Sequence, residues 1–348
     1  MKPVKRTITA ITAVSLAFGL TACDPPMPDD VKVALSEQTV ICEPGLAELQ
    51  LPESIADLGS TWADAMAVAC TDMQLNVVDK LTEKSGLVIS PIGSTSEQSF
   101  LKMPFALDAA VLVVNLPDVY EIYLSAKTIE SIFSGEITNW NDPQILADNS
   151  GLELPDQKII LPKEALPAAK TSFSSWIETL TGSPLDLSNL ADAKSSESEL
   201  AMPEQLGAIS IASYSAALLN GSIFAAVLAE AGNIESAILA STETIFSAST
   251  QLVSEVTGDN ISLTLDPKLQ PQAPEGSLEA AVPYQAIFLV ELDFIGEEST
   301  LVRAAGRYLM RQESFGVIAS STMLPVPEAI RILAVKIIEK GLTVPAAE

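Results

Sequence analysis

Short apolar runs, separated by polar breaks rich in Gly and Pro, recur along most of the chain. Their lengths alternate between strand-like and helix-like. Residues 46–51 alternate weakly and predict a first strand, while 62–70 (WADAMAVAC) have helical composition. Residues 74–78 and 87–90 read as short strands. Residues 109–116 (AAVLVVNL) are continuously apolar with three valines, the pattern of a strand buried on both faces. A helix is predicted over 126–133, with Ser125 as its N-cap and Gly135 closing it. Residues 158–161 predict a short strand, 171–180 a helix broken at Gly182, Ser183 and Pro184, and 208–211 another strand. The Ala-rich stretch 213–231 predicts a helix. After a turn-rich break at 272–277, residues 285–292 predict a long apolar strand, and helices over 299–312 and 327–340 finish the chain. Strands alternating with helices predict an α/β fold.

Charge narrows the function. The chain has 348 residues, 19 basic against 45 acidic, a formal net charge of −26 and no histidine. Phosphate contacts with nucleic acid need a basic surface, so nucleic acid is excluded as a partner. The missing histidine removes the commonest general base and metal ligand. No Gly-x-Ser-x-Gly elbow is present either. We therefore expect no enzyme activity, no metal and no cofactor.

The N-terminus reads as a targeting segment. Lys2, Lys5 and Arg6 precede a thirteen-residue apolar run, 8–20, too short to span a bilayer. The run ends in Leu20, Thr21, Ala22 and Cys23, which resembles the bacterial lipobox. The expectation is a lipoprotein signal peptide, 1–22, cleaved before Cys23. Acylated Cys23 would then tether the chain to membrane lipid in the cell envelope, facing the periplasm or exterior. Cleavage removes three basic residues and no acidic one, deepening the net charge from −26 to −29. With Cys23 acylated, Cys42 and Cys70 remain as an even pair in an oxidising compartment, and a disulfide is expected.

Residues 124–160 read LSAKTIESIFSGEITNWNDPQILADNSGLELPDQKII. Leu124, Ser125, Ile132, Phe133, Gly135, Ile137, Trp140, Asp142, Pro143, Leu154 and Pro155 fall at the offsets of a known pattern. The segment resembles the second-lobe entry of the phosphate-importer substrate-binding proteins, the type 2 periplasmic-binding fold serving ABC transporters. Stretches 104–117, 207–209, 283–292 and 301–340 are similar to further parts of that family in the same order, with Ser210 where a second Gly is usual. The resemblance implies a two-lobed α/β fold with two hinge crossings, near Asn115 and near Tyr284. Lobe I would hold 40–117 and 281–348, lobe II 118–280, with 23–39 as linker. Phe133 and Trp176 are expected in the core, and Trp140, Asp142 and Pro143 in turn architecture.

The family grips its oxyanion between the lobes with hydroxyls, backbone N–H groups at helix starts and an arginine. By resemblance Lys163 falls on that arginine, Ala165 on an aspartate, Pro167 on a serine, Ala168 on a glycine and Ala169 on a threonine. Lysine keeps the charge but lacks the planar fork, and proline lacks an N–H. Ser90 is matched, but Pro91 stands where the family has aspartate. Gly59, Ser60, Thr61 and Trp62 are similar to a first-lobe Gly-x-Thr-Phe turn. The family's Gly-Ser turn and helix between Val78 and Gly86 have no counterpart. The candidate ligand contacts are therefore Ser60, Thr61, Ser90 and Lys163. The expected partners are a small anion or other small solute and an ABC permease, with the phosphate contacts largely lost. The rival expectation is a non-transport interaction lipoprotein in which residues 165–169 and Pro91 pack together without a cavity.

Overall fold

The computed structural model describes residues 31, 37, 39–94, 98–162, 166–190, 205–278 and 280–343. Strand β1 (Gly45–Gln50) buries Ala47 and Leu49, and helix α1 (Ala56–Ala69) covers them with Leu58, Trp62 and Met66, four residues apart. Strand β2 (Met73–Val77) pairs parallel to one edge of β1, and β3 (Gly86–Pro91) to the other. A disulfide joins Cys42 to Cys70, tying the segment before β1 to the end of α1.

Passing from β2 to β3 means crossing β1, which ordinarily takes a dozen or more residues and a helix. Here residues 78–85 cross without one, the gap that the sequence spacing indicated between Val78 and Gly86. Glu48, on the face of β1 away from α1, pins the crossing. Its carboxylate accepts from the N–H groups of Thr82 (2.7 Å) and Glu83 (3.0 Å) and from the Thr82 hydroxyl. The Glu83 N–H, then the two Thr82 donors, hold the Glu48 carboxyl below its usual range.

Strand β4 (Ser99–Val114) is longer than its apolar run because it begins in the mixed sequence Ser99, Phe100, Leu101, Lys102. After β5 (Tyr123–Ser125) comes α2 (Ala126–Phe133). Ser125 caps it by accepting from the Thr128 N–H, and Gly135 follows at φ 79°, as the sequence predicted. Helix α3 (Pro143–Asp148) starts from Asp142, whose side chain accepts from the Gln144 N–H, with Pro143 in the first turn. The buried Trp140 donates its indole N–H to the Gly207 carbonyl at 2.8 Å. Helix α4 (Pro167–Thr181) ends at Gly182, φ 85°.

Two expectations need correction. The predicted strand at 158–161 makes only isolated bridges, Lys158 to Asn139 and Ile160 to Ala208. The predicted helix at 213–231 stops early. After β6 (Ile209–Ser213), helix α5 (Tyr214–Leu219) ends before Gly221, which adopts φ 63°. The chain then turns into β7 (Ile223–Phe224) and β8 (Ala226–Leu228), which pair with β4 and β5. Buried alanines suit a strand between two neighbours as well as a helix, so composition alone did not separate the two.

Next come β9 (Ala237–Ile238), α6 (Thr242–Ser249) with a Ser241–Thr244 capping box, and a hairpin of β10 (Leu252–Thr257) and β11 (Asn260–Leu265) that the sequence reading did not anticipate. Strand β12 (Ile287–Ile295), α7 (Thr300–Met310), α8 (Gln312–Gly316), β13 (Leu324–Pro325) and α9 (Glu328–Glu339) complete the chain.

The main sheet runs β13-β4-β12-β3-β1-β2, and the far end of β4 also pairs with β6 and β7. Along β12, Val290 faces Ala106 but Glu291 faces Pro104. Phe105 is thus bulged, which tolerates a proline inside a sheet. Phe105 packs edge-on against Trp62 and Phe315, at ring separations of 5.9 and 5.6 Å. Asp108 sits where β4 exchanges β12 for β6. It is fully buried and accepts from the N–H groups of Ala109 (2.7 Å) and Ser215 (3.2 Å) and from the Ser215 hydroxyl. The same strand therefore caps α5 from outside, and Tyr284 donates its hydroxyl to the Ala110 carbonyl at 2.8 Å beside it.

Arg303 and Arg307 on α7, and Arg311 just after it, are four residues apart and buried. Arg307 reaches Glu339 and the Thr39 carbonyl, and Arg311 the Glu37 carbonyl at 2.9 Å. Arg331 of α9 pairs with Glu37 and Glu328 and donates to the Met310 carbonyl at 2.7 Å. The N-terminal segment is thereby fastened to α7 and α9.

Candidate functional site

The β10–β11 hairpin follows strand periodicity. Ile261 is buried and Leu263 and Leu265 are half-buried, whereas Ser262 and Thr264 are exposed. Its apolar side packs against β4. A cavity of about 460 Å³ lies between this hairpin, the first turn of α4 and the chain leaving β3. Leu107, Ile287, Phe288 and Leu289 supply its strand wall, and Pro167 and Ala168 the start of α4. Ile92, held by its N–H to the Leu289 carbonyl at 2.9 Å, adds an apolar side chain from the turn after β3.

Polar groups are few. Thr171, Ser172, Asn260, Ser262 and Glu291 line the cavity, and no Lys or Arg does among the described residues. The Ser172 hydroxyl is buried without a hydrogen-bond partner. Glu291 is half-buried, and burial, then the charge of Asp293, pushes its carboxyl up while Lys102 opposes the shift. Lys102 itself pairs with the buried Asp293 at 3.2 Å.

Other hollows lie elsewhere. One of about 790 Å³ follows the outer side of α4 at Lys170, Ser174 and Glu178, and one of about 590 Å³ separates α6 from α8 near Phe246, Phe315 and Val326. The 460 Å³ cavity is the candidate site because both long strands β4 and β12 and the start of α4 converge on it.

The sequence-derived candidates are not brought together there. Ser60 and Thr61 lie in the second turn of α1, exposed, and both hydroxyls donate to the Asp57 carbonyl of their own helix (3.0 and 3.5 Å). Ser90 is half-buried opposite Glu291 on the β3–β12 ladder and does not line the cavity. Lys163 and Cys23 lie outside the described residues. Pro91 is buried in β3, and Leu166 leads into α4 without a side-chain cap. The cavity beside them is open and mainly apolar. Of the lining residues that sequence reasoning missed, the hairpin supplies the largest group. Their signal was the alternation through Ile261, Leu263 and Leu265 after a turn at Gly258 and Asp259.

Comparison with known proteins accords with the fold. A family model described as a PBP superfamily domain matches residues 59–246. The phosphate-binding protein PstS of Pasteurella multocida is 38% identical over 68 residues, 19% of this chain and 20% of that protein. PstS2 of Mycobacterium bovis is 40% identical over 57 residues, 16% of this chain and 15% of its own length. The match thus spans a fifth or less of these relatives. A phosphate-binding protein from Stenotrophomonas maltophilia superposes with a TM-score of 0.51 at 13% identity, covering 83% of this chain and 93% of that one. With the family model spanning more than half its length, this chain belongs to the PBP superfamily, and its mixed α/β architecture is the type 2 periplasmic-binding fold of the phosphate-binding proteins.

Proposed function

We propose that the protein is an exported, lipid-anchored solute-binding protein, related to the phosphate-binding component of an ABC importer but lacking most of that family's phosphate contacts. Lobe I would comprise 40–117 and 281–348, lobe II 118–280, with the cavity between them as the solute site and an ABC permease as partner. The phosphate-binding names of the relatives support the transport role. The observation that carries the reading is the cavity lining: apolar side chains with one carboxylate, and no cation among the described residues.

A phosphate dianion needs convergent N–H donors and positive charge. Here the first turn of α4 opens on Pro167, which has no N–H, and the chain carries a net charge of −26. Losing three or four contacts at about 1–3 kcal/mol each moves a micromolar binder to millimolar or weaker. Isothermal titration at low salt should therefore give a phosphate Kd weaker than about 1 mM. A Kd below about ten micromolar, roughly −7 kcal/mol, defeats the reading.

Anchoring has its own test. Mass spectrometry of the membrane fraction is expected to find acylated Cys23 at the mature N-terminus. A soluble secreted form that begins elsewhere overturns it.

A further inference from the structure

We propose that the cavity behind the β10–β11 hairpin binds a small organic cation with an apolar body, an alkyl- or arylammonium compound, and that Glu291 receives its charged head. The inference rests on the solute-binding reading above and names the chemistry of that site.

The walls select an apolar body. Leu107, Ile287, Phe288 and Leu289 on the strands face Ile261 and Leu263 of the hairpin across about 460 Å³, a volume typical of small-molecule sites. The single titratable lining group among the described residues selects the head. Glu291 is half-buried on β12, between Pro104 and Ser90 on the neighbouring strands. The nearby cation, Lys102, pairs with Asp293 two residues further along β12. An anionic ligand would meet Glu291 with no lining Lys or Arg among the described residues to offset it. A neutral ligand would satisfy the walls and shed water from a carboxylate without replacing it. An alkylammonium ligand fills the walls with its tail and pairs its head with the carboxylate. The net charge of −26 concentrates cations at the surface before they enter.

The test compares probes of one shape and different charge by isothermal titration at physiological salt: n-octylammonium, n-octanoate, n-octanol, methylammonium and inorganic phosphate. Octylammonium is expected to bind at least tenfold tighter than octanoate, with methylammonium undetected because it lacks the tail. Glu291→Gln should weaken octylammonium about tenfold and leave octanol unchanged. Glu178→Gln, which removes an exposed carboxylate outside the cavity, should change neither. Ile92→Trp, at a 43% exposed position on the rim, should weaken octylammonium and octanol together without disturbing the core. The proposal is overturned if octanoate matches octylammonium, if Glu178→Gln acts like Glu291→Gln, or if no tailed probe binds. Micromolar phosphate binding would instead overturn the reading that the phosphate contacts are lost. Failure of every probe would sink the ammonium assignment alone.

Discussion

Asp108→Ala is expected to lower folding stability by about 2–4 kcal/mol, read from urea unfolding at pH 7. Asp108 is fully buried where β4 passes from β12 to β6, and it accepts from Ala109 N–H, Ser215 N–H and the Ser215 hydroxyl. Truncation leaves those donors buried with no acceptor and frees the start of α5 from the strand. A loss below about 0.5 kcal/mol, the range of an ordinary surface change, would show that the network holds nothing together. The same carboxyl gives a pH signature. Burial raises it from 3.8 to about 6, against the opposing hydrogen bonds of Ser215, Ala109 and Ser213. The folded protein therefore holds this proton more tightly than the unfolded chain. The contribution is fully present below 3.8 and is lost as pH rises through about 6. Relative to Asp108→Asn, the native protein should gain on the order of 3 kcal/mol as pH falls across that window. A flat difference between the two proteins would assign the pH response to other groups.

Arg331→Ala should be at least as damaging, costing about 3–5 kcal/mol. Arg331 is 1% exposed and Glu37 4% exposed, so removing the guanidinium strands a carboxylate that solvent barely reaches. It also deletes the donor to the Met310 carbonyl. The pair is poorly screened, so added salt should recover little of the loss. The informative control is a double-mutant cycle. Glu37→Gln with Arg331→Met should cost clearly less than the two single changes together, because neither partner is then left charged and alone. Strict additivity would mean that the contact contributes nothing beyond the separate residues.

Elements marked by local chemistry were legible in the sequence. Ser125 and Gly135, Asp142 with Pro143, and Gly182 each bound a helix through a cap or a left-handed turn that few other residues supply. That Pro91 and Pro167 offer no N–H was legible for the same reason, whatever surrounds them. The make-up of the cavity was not legible. Ile92, Leu107, Ile261 and Leu289 become one wall only when the hairpin, the turn after β3 and two long strands meet, and no local pattern encodes that meeting. Glu291 reads in sequence as one acid in an apolar strand. The Ala-rich stretch failed differently: its residues suit helix and strand alike, and the choice fell to β4 and β5, which needed neighbours.

The arginine clamp on Glu37 and Thr39 also decides where mechanical load enters the protein. Were Cys23 acylated as proposed, the fourteen residue steps from it to Glu37 could span at most about 50 Å. A pull transmitted through them would arrive first at Arg307 on α7, Arg311 just after it and Arg331 on α9. It would not pass through the hairpin or the start of α4. Because α7 packs against β12 and α9 against β4, such tethering would constrain the orientation of the strand wall of the cavity.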